Sequence, residues 1–184
     1  MASGQRGLEG IHVFLATIRL REVRTACHRE PDDRSVSGEV RTLRLVQEAA
    51  GAEGVHRVEV TLEGDGAPQR AVAQVKLALE AAELDQLRWY LEDYPAYPLD
   101  PAPQIAAEVE ERLAGLGEEL FRAVFHASDD TRDLWATVRD HLADTRVEVV
   151  TDVAGATAIP WELLRDPTTN VPLALRARAF VRPG

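Results

Sequence analysis

The 184-residue chain predicts a mixed α/β fold, an α/β sandwich, and three observations carry that expectation. HRVEVTL alternates apolar and polar residues and AVAQVKLAL alternates again, the period of half-buried strands. Amphipathic segments at helical spacing follow, the longest from about Gln104 to Phe125. Strand-like and helix-like segments then interleave to the end, as they do where helices pack on a sheet. At 45% apolar and 28% charged residues the composition is that of a soluble globular protein, long enough for one core and an appendage.

Taken in order, residues 1–54 are the least legible. Leu8, Ile11, Leu15 and Ile18 recur at helical spacing over 8–24, while Ile11, Val13 and Leu15 alternate equally well as a strand. REPDDRSVSG, 29–38, is polar and broken by Pro and Gly, an exposed loop or linker. Residues 40–50 are expected to resume as helix and stop at GAEG. This part is therefore set aside as a weakly determined N-terminal appendage, 1–54, before a domain over 55–184.

From Val55 the signals sharpen. Two alternating segments around GDGAPQ make a β-hairpin, with Gly64-Asp65-Gly66 expected to supply positive φ values. ELDQLRWYLEDY is a helix with Leu84, Leu87 and Leu91 on one stripe, ended by Pro95. Prolines 95, 98, 101 and 103 make a stiff, extended connector. In the long helix Ile105, Val109, Leu113, Leu116, Leu120, Val124 and Phe125 trace one face, opposite Glu108, Glu111, Glu118 and Glu119. Gly115 and Gly117 weaken it and mark a place of close backbone approach. Ser128 or Asp129 caps a helix over Thr131–Leu142 that turns Leu134, Trp135, Val138 and Leu142 inward. VEVVTDV reads as a buried strand of a mostly parallel sheet. Pro160 opens a short helix, PWELL, closed by Asp166-Pro167, and LALRARAFVR is the final strand.

Charge excludes some partners. Between Glu83 and Asp130 twelve acidic residues stand against three arginines, and the whole chain carries a formal −10. A protein that neutralises phosphate backbones needs the opposite sign, so nucleic acid is not an expected partner. The longest apolar run, IHVFLATI, is eight residues and too short for a membrane span. The first residues lack the pattern of a secretory signal, and the single cysteine, Cys27, excludes an internal disulfide. A cytoplasmic location is expected. Arginine outnumbers lysine twenty to one, a bias of GC-rich bacterial genomes.

Each chemical temptation has a plainer reading. Cys27 and His28 are adjacent, so the imidazole points away from the thiol on either a helix or a strand. His126, Asp129 and Asp130 suggest metal ligands, but no second histidine follows at zinc spacing and aspartates ordinarily cap helices there. Glu111, Glu118 and Glu119, with Glu108 and Glu110, offer contacts to a basic partner, although such a face is more often simply solvated. No nucleophile elbow, Walker loop or dinucleotide fingerprint occurs, and Gly64-x-Gly66 is explained as a turn. Trp161 is expected to anchor core packing with its N–H on backbone, and Glu162 to hold backbone N–H groups of a neighbouring loop. No catalytic, metal-binding or cofactor-binding residue is expected.

Four stretches nevertheless speak together: RWYLEDY (88–94), EVEERLAGLGEELFRAVF (108–125), DLWATVRDHLADTRVEVVTD (133–152) and AIPWELLRDP with PLALRARAFVR (158–182). From about His56 to Arg182 the chain resembles the N-terminal half of the bacterial CHAT domain (caspase-like, HetF-associated with TPRs). Arg88, Trp89 and Tyr90, and Pro160, Trp161, Glu162, Asp166 and Pro167, carry the most specific motifs. The resemblance implies a caspase-like α/β/α sandwich, here incomplete, from the caspase–separase clan of cysteine peptidases. Its members often stand beside repeat or nucleotide-sensing modules in regulatory or defence systems. The family's catalytic histidine and cysteine close strands that follow the PWELL segment. None of His12, His28, His56, His126, His141 or Cys27 occupies those positions. The resemblance thus implies a truncated CHAT-domain protein, an accessory and scaffolding half inactive by itself. Its partner would be a protein or the missing C-terminal half, or a second copy paired along the exposed edge of the last strand. The alternative is a complete non-enzymatic interaction module in a bacterial signalling or defence system. Hydrolysis through Cys27 is the least favoured reading.

Overall fold

The structure, a computed structural model, describes residues 41–49, 54–64, 66–77, 81–94, 101–151, 153 and 159–182. The chain forms two compact units, residues 1–38 with 79–109, and residues 39–78 with 110–184. The helix or strand expected over 8–24, the loop at 29–38, Cys27 and His28 lie outside the described residues.

In the first unit, α1 (Ala81–Glu92) is the helix expected at ELDQLRWYLEDY. The N–H groups of Asp93 and Tyr94 both donate to the Trp89 carbonyl, at 2.9 and 3.0 Å, and close it. That turn lays Tyr94 parallel to Tyr90, ring centroids 5.8 Å apart, and 5.7 Å from Trp89, so RWYLEDY is a local aromatic cluster around a buried Tyr90. The side chains of Leu84, Leu87, Arg88 and Leu91, and Pro95 and Pro98, lie outside the described part. Pro101 and Pro103 are not connector. They open α2 (Ala102–Phe125), where a missing N–H leaves no intrahelical bond unmade. Residues 102–109 of α2 belong to this unit and bury Ala106 and Val109, while Ile105, expected on the apolar stripe, is exposed.

The second unit is built on a five-stranded mixed sheet of order β3-β2-β1-β4-β7. Its strands are β1 (Thr42–Ala49), β2 (Val55–Gly64), β3 (Gly66–Lys76), β4 (Arg146–Thr151) and β7 (Ala179–Val181). β1 pairs antiparallel with β2 and parallel with β4; β2 with β3 is antiparallel and β4 with β7 parallel. Register places Leu43, Leu45 and Gln47 on one face with His56, Val58, Val60 and Leu62, Ala71, Ala73 and Val75, Val147 and Val149, and Phe180. Every one of these is buried. Helix α2 from Glu110 onward, and α3 (Asp129–Val138), cover this inner face with Leu120, Phe121, Val124, Phe125, Leu134, Trp135 and Val138. Phe121, Phe125 and Trp135 meet at centroid distances of 4.8 to 5.1 Å and form its aromatic centre.

The outer face carries charge in cross-strand pairs. Glu148 takes Arg44 at 3.0 Å and Arg146 at 2.8 Å, and Arg57 takes Glu48, directly opposite it, at 2.9 Å. Glu59 joins Arg57 and Arg70 at 3.5 Å. Such exposed pairs each contribute on the order of 0–1 kcal/mol, so they set register more than stability.

The structure moves several expectations. Residues 42–49, taken as helix within an appendage, are the strand at the centre of the sheet. TLRLVQEA alternates once it is paired on both sides, and its polar residues face outward except Gln47. LALRARAFVR is not one strand: Leu173–Arg176 is a single helical turn, α4, and only Ala179–Val181 joins the sheet as β7. Neither Gly64 nor Gly66 has positive φ; among the described residues that conformation falls at Gly54 and at Asn170. The helix expected over Thr131–Leu142 starts at Asp129 and changes at Arg139 into a 3-10 helix, Arg139–Asp144. Ser128 is its cap, in a capping box with Thr131.

After β4, PWELL forms one 3-10 turn, Trp161–Leu163, then the short hairpin β5 (Arg165–Asp166) and β6 (Val171–Pro172). Helix α2 lies against this turn at Gly117, where a Cβ would fall on the Leu163 carbonyl oxygen and crowd the Arg165 side chain. Around Gly115 there is open space. Gly115→Ala is therefore expected to stabilise the protein by about 0.5–1 kcal/mol through helix propensity. Gly117→Ala is expected to destabilise it by about 2 kcal/mol, because backbone must move. Urea unfolding of the two variants checks the opposite signs.

Candidate functional site

β1, β4 and β7 run parallel, so their carboxyl ends lie along one side of the sheet, where open α/β sheets place ligand and catalytic groups. Gln47 and Thr151, paired in register, stand toward the carboxyl ends of the inner rows of β1 and β4. Trp161, delivered by the turn that follows β4, reaches Gln47. Pro160 makes that delivery. At φ −77° and ψ 75° it forms an inverse γ-turn whose Trp161 N–H donates to the Ile159 carbonyl at 2.9 Å. The expected first helical position of Pro160 is thus one residue early, and the proline acts as the bend itself.

Trp161 is fully buried, and its Nε1–H donates to Gln47 Oε1 at 2.9 Å, a side chain rather than the backbone expected. The indole N–H can only donate, which fixes the Gln47 carbonyl toward it and turns the amide nitrogen away. That Nε2, fully buried, finds no hydrogen-bond acceptor. His56 lies on the same face two residues along, opposite Ala49, and is 4% exposed. Burial lowers its pKa, which keeps the ring neutral near pH 7, and its Nδ1 has no donor. Here an unpaired amide donor, beside Trp161, and an unpaired imidazole nitrogen share one face of the sheet. Thr151 Oγ1 accepts the Val153 N–H at 3.1 Å and holds the chain as it leaves β4.

The remaining motif residues brace the turn. Arg182 donates to Glu162 Oε1 at 3.2 Å, tying the turn to the segment after β7. Asp166 Oδ1 accepts the Thr168 N–H and its carbonyl accepts the Asn170 N–H, both at 2.9 Å. This closes the Asp166-Pro167 turn as expected, with Asn170 at φ 52°. The Leu173 N–H donates to the Leu164 carbonyl at 2.8 Å and fastens α4 beneath it. Arg88, Trp89 and Tyr90 belong to the other compact unit.

The other candidates disperse. His126 is exposed, its ring edge-on to Phe121, and Asp129 pairs with Arg132 at 2.6 Å in the first turn of α3. Among the described residues no three acidic, histidine or cysteine side chains come together as a metal site. Glu118 pairs with Arg122 at 2.7 Å and Glu119 with Arg112 at 3.2 Å, so two of the three acids offered to a basic partner are engaged on their own helix; Glu111 is exposed. Gln47 and His56 were missed as a pair. His56 was in phase with Val58, Val60 and Leu62, which marks it for burial, but Gln47 sat in a segment taken as helix. Among the described residues no helix is long and apolar enough to cross a membrane. The chain matches no family model, no curated protein and no solved structure.

Two predictions follow from this geometry. Trp161→Phe leaves both polar atoms of Gln47 buried without partners and should cost about 3 kcal/mol. Gln47→Leu in that background should recover part of the loss, and a double-mutant cycle by urea unfolding reads the coupling. For His56, the unfolded ring titrates near 6.5 and the folded one below it. Its neutral form thus contributes stability that is present above about pH 6.5 and is lost as pH falls through the folded value. His56→Leu should flatten that slope, so variant and parent should diverge between about pH 7.5 and 5.5 in thermal melts.

Proposed function

We propose that the chain serves as the accessory, scaffolding part of a CHAT-type, caspase-like peptidase module. In this reading it supplies the sheet and the braced PWELL turn, and the catalytic histidine and cysteine come from strands beyond these elements. The single observation that supports it best is the buried Trp161–Gln47 hydrogen bond, which pins the most specific family motif to the carboxyl end of the central strand. The groups assembled there are an amide, a neutral imidazole, a hydroxyl and an indole, suited to holding neighbouring backbone in place. The parallel run β1-β4-β7 supports it too, because further strands of such a module add in parallel beside β7.

Active-site-directed labelling tests this. The purified chain, mixed with a polypeptide bearing the histidine- and cysteine-closing strands of a CHAT domain, is treated with a peptidyl acyloxymethyl ketone. The expected result is labelling of the added polypeptide only in the presence of the chain, reduced several-fold by Trp161→Ala. Labelling of the chain itself, or labelling of the added strands without it, would sink the scaffolding reading.

A further inference from the structure

At the opposite end of the sheet, the hairpin β2–β3 and the end of α3 enclose an open cleft of about 260 Å³. It is lined by Arg41 and the hairpin residues Leu62, Glu63, Gly64, Gly66, Ala67 and Gln69 on the sheet side, and by Thr137 and His141 on the helix side. The volume lies just under the range of drug-sized ligand pockets, so it suits a small molecule or one end group.

Arg41, Gln69 and His141 can each offer an N–H donor to it. Arg41 precedes β1, and its carbonyl accepts the Arg146 N–H at 2.8 Å, which holds the backbone. Its side chain lies across Gly64, where even a Cβ would meet the Arg41 Cγ at 2.7 Å, so the glycine makes room for the guanidinium stem. Gln69 faces Leu62 in register and therefore stands on the inner face, toward the cleft. His141 projects from the 3-10 helix after α3. The side chains of Gln69 and His141 are exposed and have no hydrogen-bond or ion-pair partner. A guanidinium has five N–H donors and can add a ligand to what it already holds. Glu63 is the one acid among the described lining residues; it faces Thr42 in register, which puts it on the outer face of the sheet.

We propose that this cleft binds a phosphate group carried by a small molecule. Arg41, Gln69 and His141 approach from three different elements, and donors converging from several sides match the oxygens of a tetrahedral anion. A planar carboxylate presents its acceptors along one edge and is served by a single fork.

Inorganic phosphate is the probe, titrated into the full chain and followed by amide chemical shifts at constant ionic strength, with acetate as the planar comparison. The expected result is saturable shifts at Gly64, Gly66, Gln69 and His141 with a millimolar-range Kd, absent with acetate. Arg41→Gln should weaken binding roughly tenfold, as loss of a charge-assisted contact does. Gln69→Ala and His141→Ala change exposed side chains, keep the fold, and should each weaken it several-fold. Equal shifts with acetate, no saturation by about 20 mM phosphate, or unchanged affinity in both Gln69→Ala and His141→Ala would overturn the proposal.

Discussion

β1 has to satisfy two neighbours at once. It runs antiparallel to β2 along all eight residues and parallel to β4 along six, and both sets of hydrogen bonds are met by one short strand. That double pairing puts Leu43 and Leu45, both fully buried, beneath the helices, with the same register carrying Gln47 next in the inner row. A glutamine in that place is costly unless its carbonyl is used, since an unmade buried polar contact costs about 1–3 kcal/mol. Trp161 uses it. The bond therefore does two things: it relieves the strand of a buried acceptor and locates the turn that follows β4.

The same turn is held from the other side by α2. Gly117 brings helix backbone so near the Leu163 carbonyl that no side chain fits between them. A segment clamped between a helix backbone and a strand end has little freedom left, and Arg182 on Glu162 and the Asp166 turn remove more. Position here comes from directional contacts, while the energy comes from the apolar inner face. The outer-face ion pairs contribute little to that energy and serve to disfavour slipped registers, in which like charges would meet.

What the sequence made legible follows from the range of the contacts involved. The β2–β3 hairpin is local and its strands alternate up to the irregularity at the turn, so it could be read directly. The inner stripe of α2 from Leu116 onward and the Ser128 cap are local too, and so is the close approach promised by Gly117. β1 was hidden because its pattern makes sense only with β4 beside it: Arg44 finds Glu148 across 104 residues of chain. Gln47 and Trp161 are separated by 114. No window of neighbouring residues contains such a pair. The break in LALRARAFVR was hidden for a related reason: Leu173 is claimed by the Leu164 carbonyl and the core, which bends the chain into α4 before Ala179 reaches β4.

The distribution of charge also separates the two readings of how this chain meets a partner. The acidic face of α2 looked available because twelve acids crowd one segment, yet Glu118 and Glu119 have arginines on their own helix, at spacings a helix brings together. A basic partner would have to break those pairs and gain only the difference. The carboxyl ends of β1 and β4 stand otherwise: Gln47 Nε2 and His56 Nδ1 are buried with their bonding capacity unspent. Groups in that condition gain the full value of any partner that reaches them, because no existing bond is exchanged. By that measure the unspent bonding capacity of this fold lies at the end of the central strand, beside Trp161, and not along the acidic helix.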